Sequence, residues 1–136
     1  MDDILDCTIF LLAKAYQKAH GKFKKKLQSY GLTPLQHLVL ESLWIKDGLA
    51  VSEIGKGLIL DNATLSGVLD RMSEAGWIVK KTDTDDRRFV RIYLSSKAEE
   101  MKIQLLEERK KANDEILSGF TFEEKVLLKR FLRDLM

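Results

Sequence analysis

The sequence predicts a mainly α-helical domain that carries one small β-hairpin. Three observations predict it. Apolar residues recur at three- and four-residue spacing through most of the 136 residues. The single proline, Pro34, stands where a helix would start rather than inside one. One stretch, from Trp77 to Leu94, changes to period-two alternation around a charged turn. The composition, 45% hydrophobic and 32% charged, is that of a globular chain and not of a disordered one. A chain of this length forms one domain, 1–136, with a core that needs no disulfide or structural metal.

Each element follows in order. Ile9, Leu12, Tyr16, Ala19 and Phe23 form one apolar stripe, which predicts a helix from about Leu5 to Ser29, closed by Gly31 in a left-handed cap. Thr33-Pro34-Leu35-Gln36 is a capping box with proline at the first helical position. The helix it opens runs to about Lys46 and is apolar nearly all round, so burial is expected. Asp47-Gly48 stops it. A short helix fits Val51 to Leu58, with Ala50 a poor cap that leaves its start prone to fraying. Asp61 then caps a helix from Asn62 to about Ala75, with Leu65, Val68, Leu69 and Met72 inward and Gly76 at its end.

Trp77–Thr82 and Phe89–Leu94 read as the two strands of a hairpin with the polar tip Asp83-Thr84-Asp85-Asp86-Arg87-Arg88. A long helix is expected from Ser96 to Leu117. Thr121-Phe122-Glu123-Glu124 is a second capping box and opens the last helix. A short helix, a turn, a second helix and a charged hairpin make a winged helix-turn-helix.

Several function classes are excluded. No apolar run approaches a membrane span. The acidic start, Asp2, Asp3 and Asp6, lacks the positive charge of a secretory signal, so a cytoplasmic protein without a membrane partner is expected. Cys7 is the one cysteine and cannot pair within the chain. There is no HExxH, no CxxC pair, no phosphate-binding glycine loop and no dinucleotide fingerprint. His37 and Glu41 stand four apart on one helix, but two ligands make no metal site. No catalytic residue, cofactor or metal is assigned.

The chain resembles the MarR family of transcription regulators over nearly its whole length. The most specific stretch is Asp83-x-x-Asp86-Arg87-Arg88 followed by Ile92-x-Leu94-Ser95, similar to that family's wing signature. Leu60-Asp61-x-x-Thr64-Leu65-Ser66 with Leu69-Asp70-Arg71-Met72 and Gly76 is similar to its recognition helix. Phe120-Thr121-x-Glu123-Glu124 is similar to its closing helix. Thr84, Phe89, Ala50 and Ala98 depart from the usual pattern without removing a DNA-contacting group. The resemblance implies a homodimer built by helices at about 4–30 and 96–136, with a DNA-binding winged helix at about 33–95. It also implies a palindromic double-stranded DNA operator, released by a small aromatic or phenolic ligand.

On that reading the helix from Asn62 enters the major groove. Its outer face carries Ala63, Ser66, Gly67 and Asp70, flanked by Arg71. Small residues permit close approach, and Thr64 and Ser66 can bond bases or phosphates. Asp70 is expected to pair with a nearby arginine. At the hairpin, Arg87 or Arg88 suits the negative potential of the minor groove, with Asp86 and Arg91 supporting the tip. Lys22, Lys24, Lys25 and Lys26 form either a solvated helix end or a phosphate contact. A ligand pocket is expected where the first two helices meet the helix from Ser96, with Tyr16, His20 and His37 as its polar groups.

The expected function is a DNA-binding transcription regulator, a repressor relieved by ligand. Two alternatives stand beside it. Leu58-Ile59-Leu60-Asp61-x-x-Thr64-Leu65 also resembles the organic-peroxide-sensing branch of the family, where a cysteine of the first helix is the sensor; Cys7 would then be redox-active. The other is a winged-helix module for protein contacts.

Overall fold

The computed structural model describes residues 3–136; Met1 and Asp2, and with Asp2 part of the acidic start, lie outside the described residues. The chain is mostly helical with one small antiparallel sheet, as the sequence predicts. After a 3₁₀ turn at Ile4–Asp6 come α1 (Thr8–Leu27), a second 3₁₀ turn at Gln28–Tyr30 and α2 (Pro34–Ile45). The winged unit holds β1 (Leu49–Ala50), α3 (Val51–Leu58), α4 (Asn62–Glu74), β2 (Ile78–Thr82) and β3 (Val90–Leu94). The chain closes with α5 (Ser96–Glu100), α6 (Lys102–Ile116) and α7 (Phe122–Asp134). Among the described residues no helix is long and apolar enough to cross a membrane.

The capping signals act where the sequence places them. Thr33 accepts from the Gln36 N–H and the Gln36 side chain accepts from the Thr33 N–H; Thr121 and Glu124 repeat this at α7. Gly31 and Gly76 end their segments at φ of 70° and 82°. One core joins α1, α2, α3, α4, the sheet and α6, with Leu27, Leu40, Leu65, Leu69, Trp77 and Leu105 fully buried. Burial of such side chains supplies on the order of 1.5–3 kcal/mol each.

Four expectations need correction. The first helix is shorter at both ends, with 3₁₀ turns where a continuous α-helix was expected. The hairpin belongs to a three-stranded sheet of order β1-β3-β2, because Leu49 and Ala50 pair with Ile92 and Arg91. The helix from Ser96 breaks at Met101, whose φ of −90° and ψ of −2° separate α5 from α6. And α2 is not buried all round, since Leu38 and Ile45 are exposed. Ala50 does leave α3 without a capping side chain, but Glu53 accepts from the Ala50 N–H at 3.0 Å and holds the start.

The turn between α3 and α4 carries backbone strain. Ile59 sits at φ 57°, ψ 51°, a left-handed conformation that penalises a β-branched residue. Its side chain is 74% exposed, so burial does not offset that penalty. Ile59→Gly should therefore raise stability by about 1 kcal/mol. Urea unfolding checks this; an unchanged or lower midpoint would show that the turn is not strained.

Candidate nucleic-acid interface

Helix α4, the helix expected to read DNA, is fixed at its start by Asp61. Its Oδ1 accepts from the Thr64 N–H at 2.7 Å, and its Oδ2 accepts from the Thr64 hydroxyl at 2.9 Å. These donors, the backbone N–H first, hold the Asp61 carboxyl below its ordinary range. The Thr64 hydroxyl proton is thus engaged, and what it offers a neighbour is an acceptor. Leu65, Val68, Leu69 and Met72 face the core, while Asn62, Ala63, Ser66, Asp70 and Arg71 are exposed. Gly67 is half-buried beneath the Arg71 guanidinium, whose Nη2 would lie 3.8 Å from an added Cβ. Asp70 pairs with Lys80 of β2 rather than with an arginine, because the adjoining strand presents a lysine there.

The wing is held by two arginine–aspartate pairs. Arg88 donates to Asp86 from Nε at 3.0 Å and from Nη2 at 2.7 Å, and the Arg88 N–H adds a third bond at 3.1 Å. The guanidinium is the larger cause holding the Asp86 carboxyl down. Arg91 donates from Nε to Asp83 at 2.8 Å and from Nη1 to the Gly48 carbonyl at 3.0 Å, and stands 3.7 Å from Glu53. The Asp83 carboxyl is lowered chiefly by the Asp85 N–H and then by Arg91. Arg91 thus ties the wing to the turn after α2 and to α3. Gly48, at φ 75°, lies so close beneath Tyr93 that a Cβ there would come within 2.9 Å of the ring. Among the described residues Arg87 is exposed and makes no ion pair.

A cleft of about 520 Å³ opens beside this unit, between α1, α2 and α6. Tyr16 and His20 line it, with ring centroids 5.3 Å apart, as the sequence leads one to expect. His37 does not. It is fully buried, with Nδ1 3.1 Å from Glu41 Oε2 and Nε2 3.1 Å from the Leu105 carbonyl oxygen. Its position on α2 turns it into the core rather than toward the cleft. Arg109 lines the cleft instead and pairs with Glu41. The sequence did carry a signal for it: Leu105, Arg109, Ala112 and Ile116 fall on one stripe of α6. Leu60, from the turn before α4, closes one wall.

Cys7 is exposed and immediately precedes α1. In the basic run, Lys26 reaches across to Glu115 of α6 at 2.8 Å, so this lysine serves as a tie between helices.

Residues 32–90 match the model of the MarR family. The HTH-type transcriptional regulator TtmR of Methylorubrum extorquens is 35% identical over 102 residues, which cover 75% of this chain and 51% of that protein. The organic hydroperoxide resistance transcriptional regulator of Bacillus subtilis is 35% identical over 86 residues, 63% of this chain and 58% of that one. The chain thus spans little more than half the length of these two relatives. A probable transcriptional regulator from Pseudomonas aeruginosa superposes with a TM-score of 0.92 at 26% identity, covering 98% of this chain and 100% of its own. BpsR of Bordetella bronchiseptica gives the same TM-score at 22% identity, covering 99% and 96%, and shows the shared fold. With the wing, α4 and the flanking helices in the same arrangement, the chain has the winged helix-turn-helix fold of these regulators and carries the MarR-family match over residues 32–90.

Proposed function

We propose that the chain is a sequence-specific double-stranded DNA-binding regulator, acting in the cytoplasm as a homodimer on a palindromic operator. The observation that carries this reading is the charge arrangement of the wing tip. Arg88 and Arg91 are tied to aspartates, and Arg87 stands exposed without an ion-pair partner among the described residues. A free guanidinium on a braced hairpin suits a narrow minor groove, where the potential is most negative. Beside it, Asn62, Ala63, Thr64, Ser66, Gly67 and Arg71 supply a small polar face for the major groove. The roles divide accordingly: Arg87 reaches DNA, while Asp86, Arg88 and Arg91 shape the tip.

The dimer rests on α1 and α7. Helix α7 buries none of its residues, and Phe131, Leu132 and Leu135 are exposed together with Ile9, Leu12 and Tyr16. Apolar surface of that extent on a small chain marks an interaction site. Helices at about 4–30 and 96–136 would then form the shared base, with a winged unit at about 33–95 on each side.

Repression relieved by a small aromatic or phenolic ligand is the regulatory reading. Support comes from the cleft and from BpsR, whose DNA binding is regulated by 6-hydroxynicotinic acid. Leu60 touches the cleft one residue before the cap of α4, so an occupant presses on the chain that positions the recognition helix. A second reading has its own support: Cys7 is exposed, and one relative regulates organic hydroperoxide resistance. On it, a thiolate at Cys7 would sense oxidant.

Arg87→Ala should weaken operator binding by about 1–3 kcal/mol and leave the melting temperature unchanged. Arg88→Ala should have the smaller effect on affinity. Fluorescence anisotropy on a selected operator reads both; a parent-like Arg87→Ala variant would remove the wing from the interface. For the thiol, a gel shift with and without organic hydroperoxide separates the two signals. The ligand-relieved reading expects the parent and Cys7→Ser to stay bound alike, and oxidant release of the parent alone would make Cys7 the sensor.

A further inference from the structure

The packing of the fold does not account for Phe89. It stands at the tip of the wing and is 45% exposed. Among the described residues it neither packs on the core cluster nor pairs with another aromatic ring. It is also one of the positions at which the chain departs from the pattern it otherwise resembles. A phenyl group placed there leaves much of a large apolar area in water, where it adds little to stability.

Its position is nonetheless fixed. The Phe89 N–H donates to the Asp86 carbonyl at 3.1 Å, and the Asp83 N–H donates to the Phe89 carbonyl at 2.9 Å. The first bond closes a four-residue turn, Asp86-Arg87-Arg88-Phe89. The second joins the strand ends beneath it. Within that turn Arg88 is engaged by Asp86, its Nη2 donating at 2.7 Å. The turn therefore offers two unengaged groups two residues apart: the cation of Arg87 and the phenyl ring of Phe89. A DNA minor groove meets both needs. Its negative potential suits the guanidinium. Its deoxyribose walls and the apolar faces of its stacked bases suit an apolar side chain, and such side chains enter between base steps from this groove.

We propose that Phe89 is an apolar wedge: with Arg87 in the minor groove, the phenyl ring enters between two adjacent base pairs and partly unstacks them. This rests on the reading of the wing as a DNA contact. The wedge selects sequence without a hydrogen bond to any base. Pyrimidine–purine steps, TA among them, unstack and kink most readily, so they are favoured beneath the ring. The wing then contributes selection through DNA deformability, while α4 contributes it through base edges.

The test uses the full chain on an operator selected by binding, with the fluorescent adenine analogue 2-aminopurine placed in turn at each step the wing protects. The parent should raise the probe's fluorescence about threefold at one step in each half-site, as unstacking relieves its quenching. Phe89→Ala should leave the signal near that of the free duplex. Phe89→Leu keeps an apolar wedge and should restore part of it, which separates a lost wedge from a misfolded wing. On an operator with TA at that step, Phe89→Ala should bind about tenfold more weakly than the parent. With AA there, the difference should shrink to about twofold or less. A parent that unstacks no step, or a Phe89→Ala variant that keeps both the signal and the TA preference, would overturn the proposal. Arg87→Ala on the same duplex distinguishes the two readings. If it loses affinity while Phe89→Ala binds like the parent, the wing contacts DNA and the wedge alone is refuted. If the parent selects no sequence, both are refuted.

Discussion

The buried imidazole of His37 is the contact on which the rest of the arrangement depends. It stands in an otherwise apolar core, where a polar group left without partners is costly. Its two nitrogens face Glu41 on its own helix and the Leu105 carbonyl on α6, and the rings of Phe23 and Trp44 meet it edge-on at 5.0 and 5.8 Å. One side chain thus fixes the approach of α1, α2 and α6. The cleft is the space those three helices leave beyond it, and Arg109 reaches that space because Glu41, held at His37, anchors its guanidinium. A satisfied polar network in a core specifies one packing over its alternatives, and here the packing it specifies also shapes a ligand-sized space.

The winged unit depends on a second bracket of the same kind. Arg91 links Asp83, the Gly48 carbonyl and Glu53, so wing, turn and α3 share one guanidinium. Asp47 adds to it by accepting from the Leu94 N–H at 2.9 Å. These bonds convert a highly charged tip into a defined shape. They also explain why so many aspartates stand in a segment proposed to approach DNA: two of them, Asp83 and Asp86, are matched by Arg91 and Arg88, which leaves Arg87 free to act as a cation.

Local chemistry made much of this legible in the sequence. The Thr33–Gln36 and Thr121–Glu124 boxes, the Asp61 cap, the glycines at 31 and 76, and the 65–68–69–72 stripe all act within one or two helical turns, and each is found in place. The features that were missed are non-local. Strand β1 is two residues long, too short for alternation to register, and exists because β3 offers an edge. The break at Met101 leaves the apolar spacing intact, so periodicity passes over it. His37 was expected at the cleft and is not there, and Arg109 was not expected and is, for one reason. Residue type tells which group can bond a ligand, while only the packing tells which group is already bonded to the protein. Asp70 meeting Lys80 instead of an arginine is the same lesson across a helix–strand contact.

On the proposed reading, two copies of this winged unit, joined through α1 and α7, read DNA with α4 in the major groove and Arg87 in the adjoining minor groove. Hydroxyl-radical footprinting of the full chain on genomic fragments selected by binding tests it most directly. The account predicts a dyad-symmetric pattern, with two protected centres about 34 Å apart, one helical turn, and minor-groove protection outside each. Protection without dyad symmetry, or binding that shows no sequence selection at any salt concentration, would contradict it.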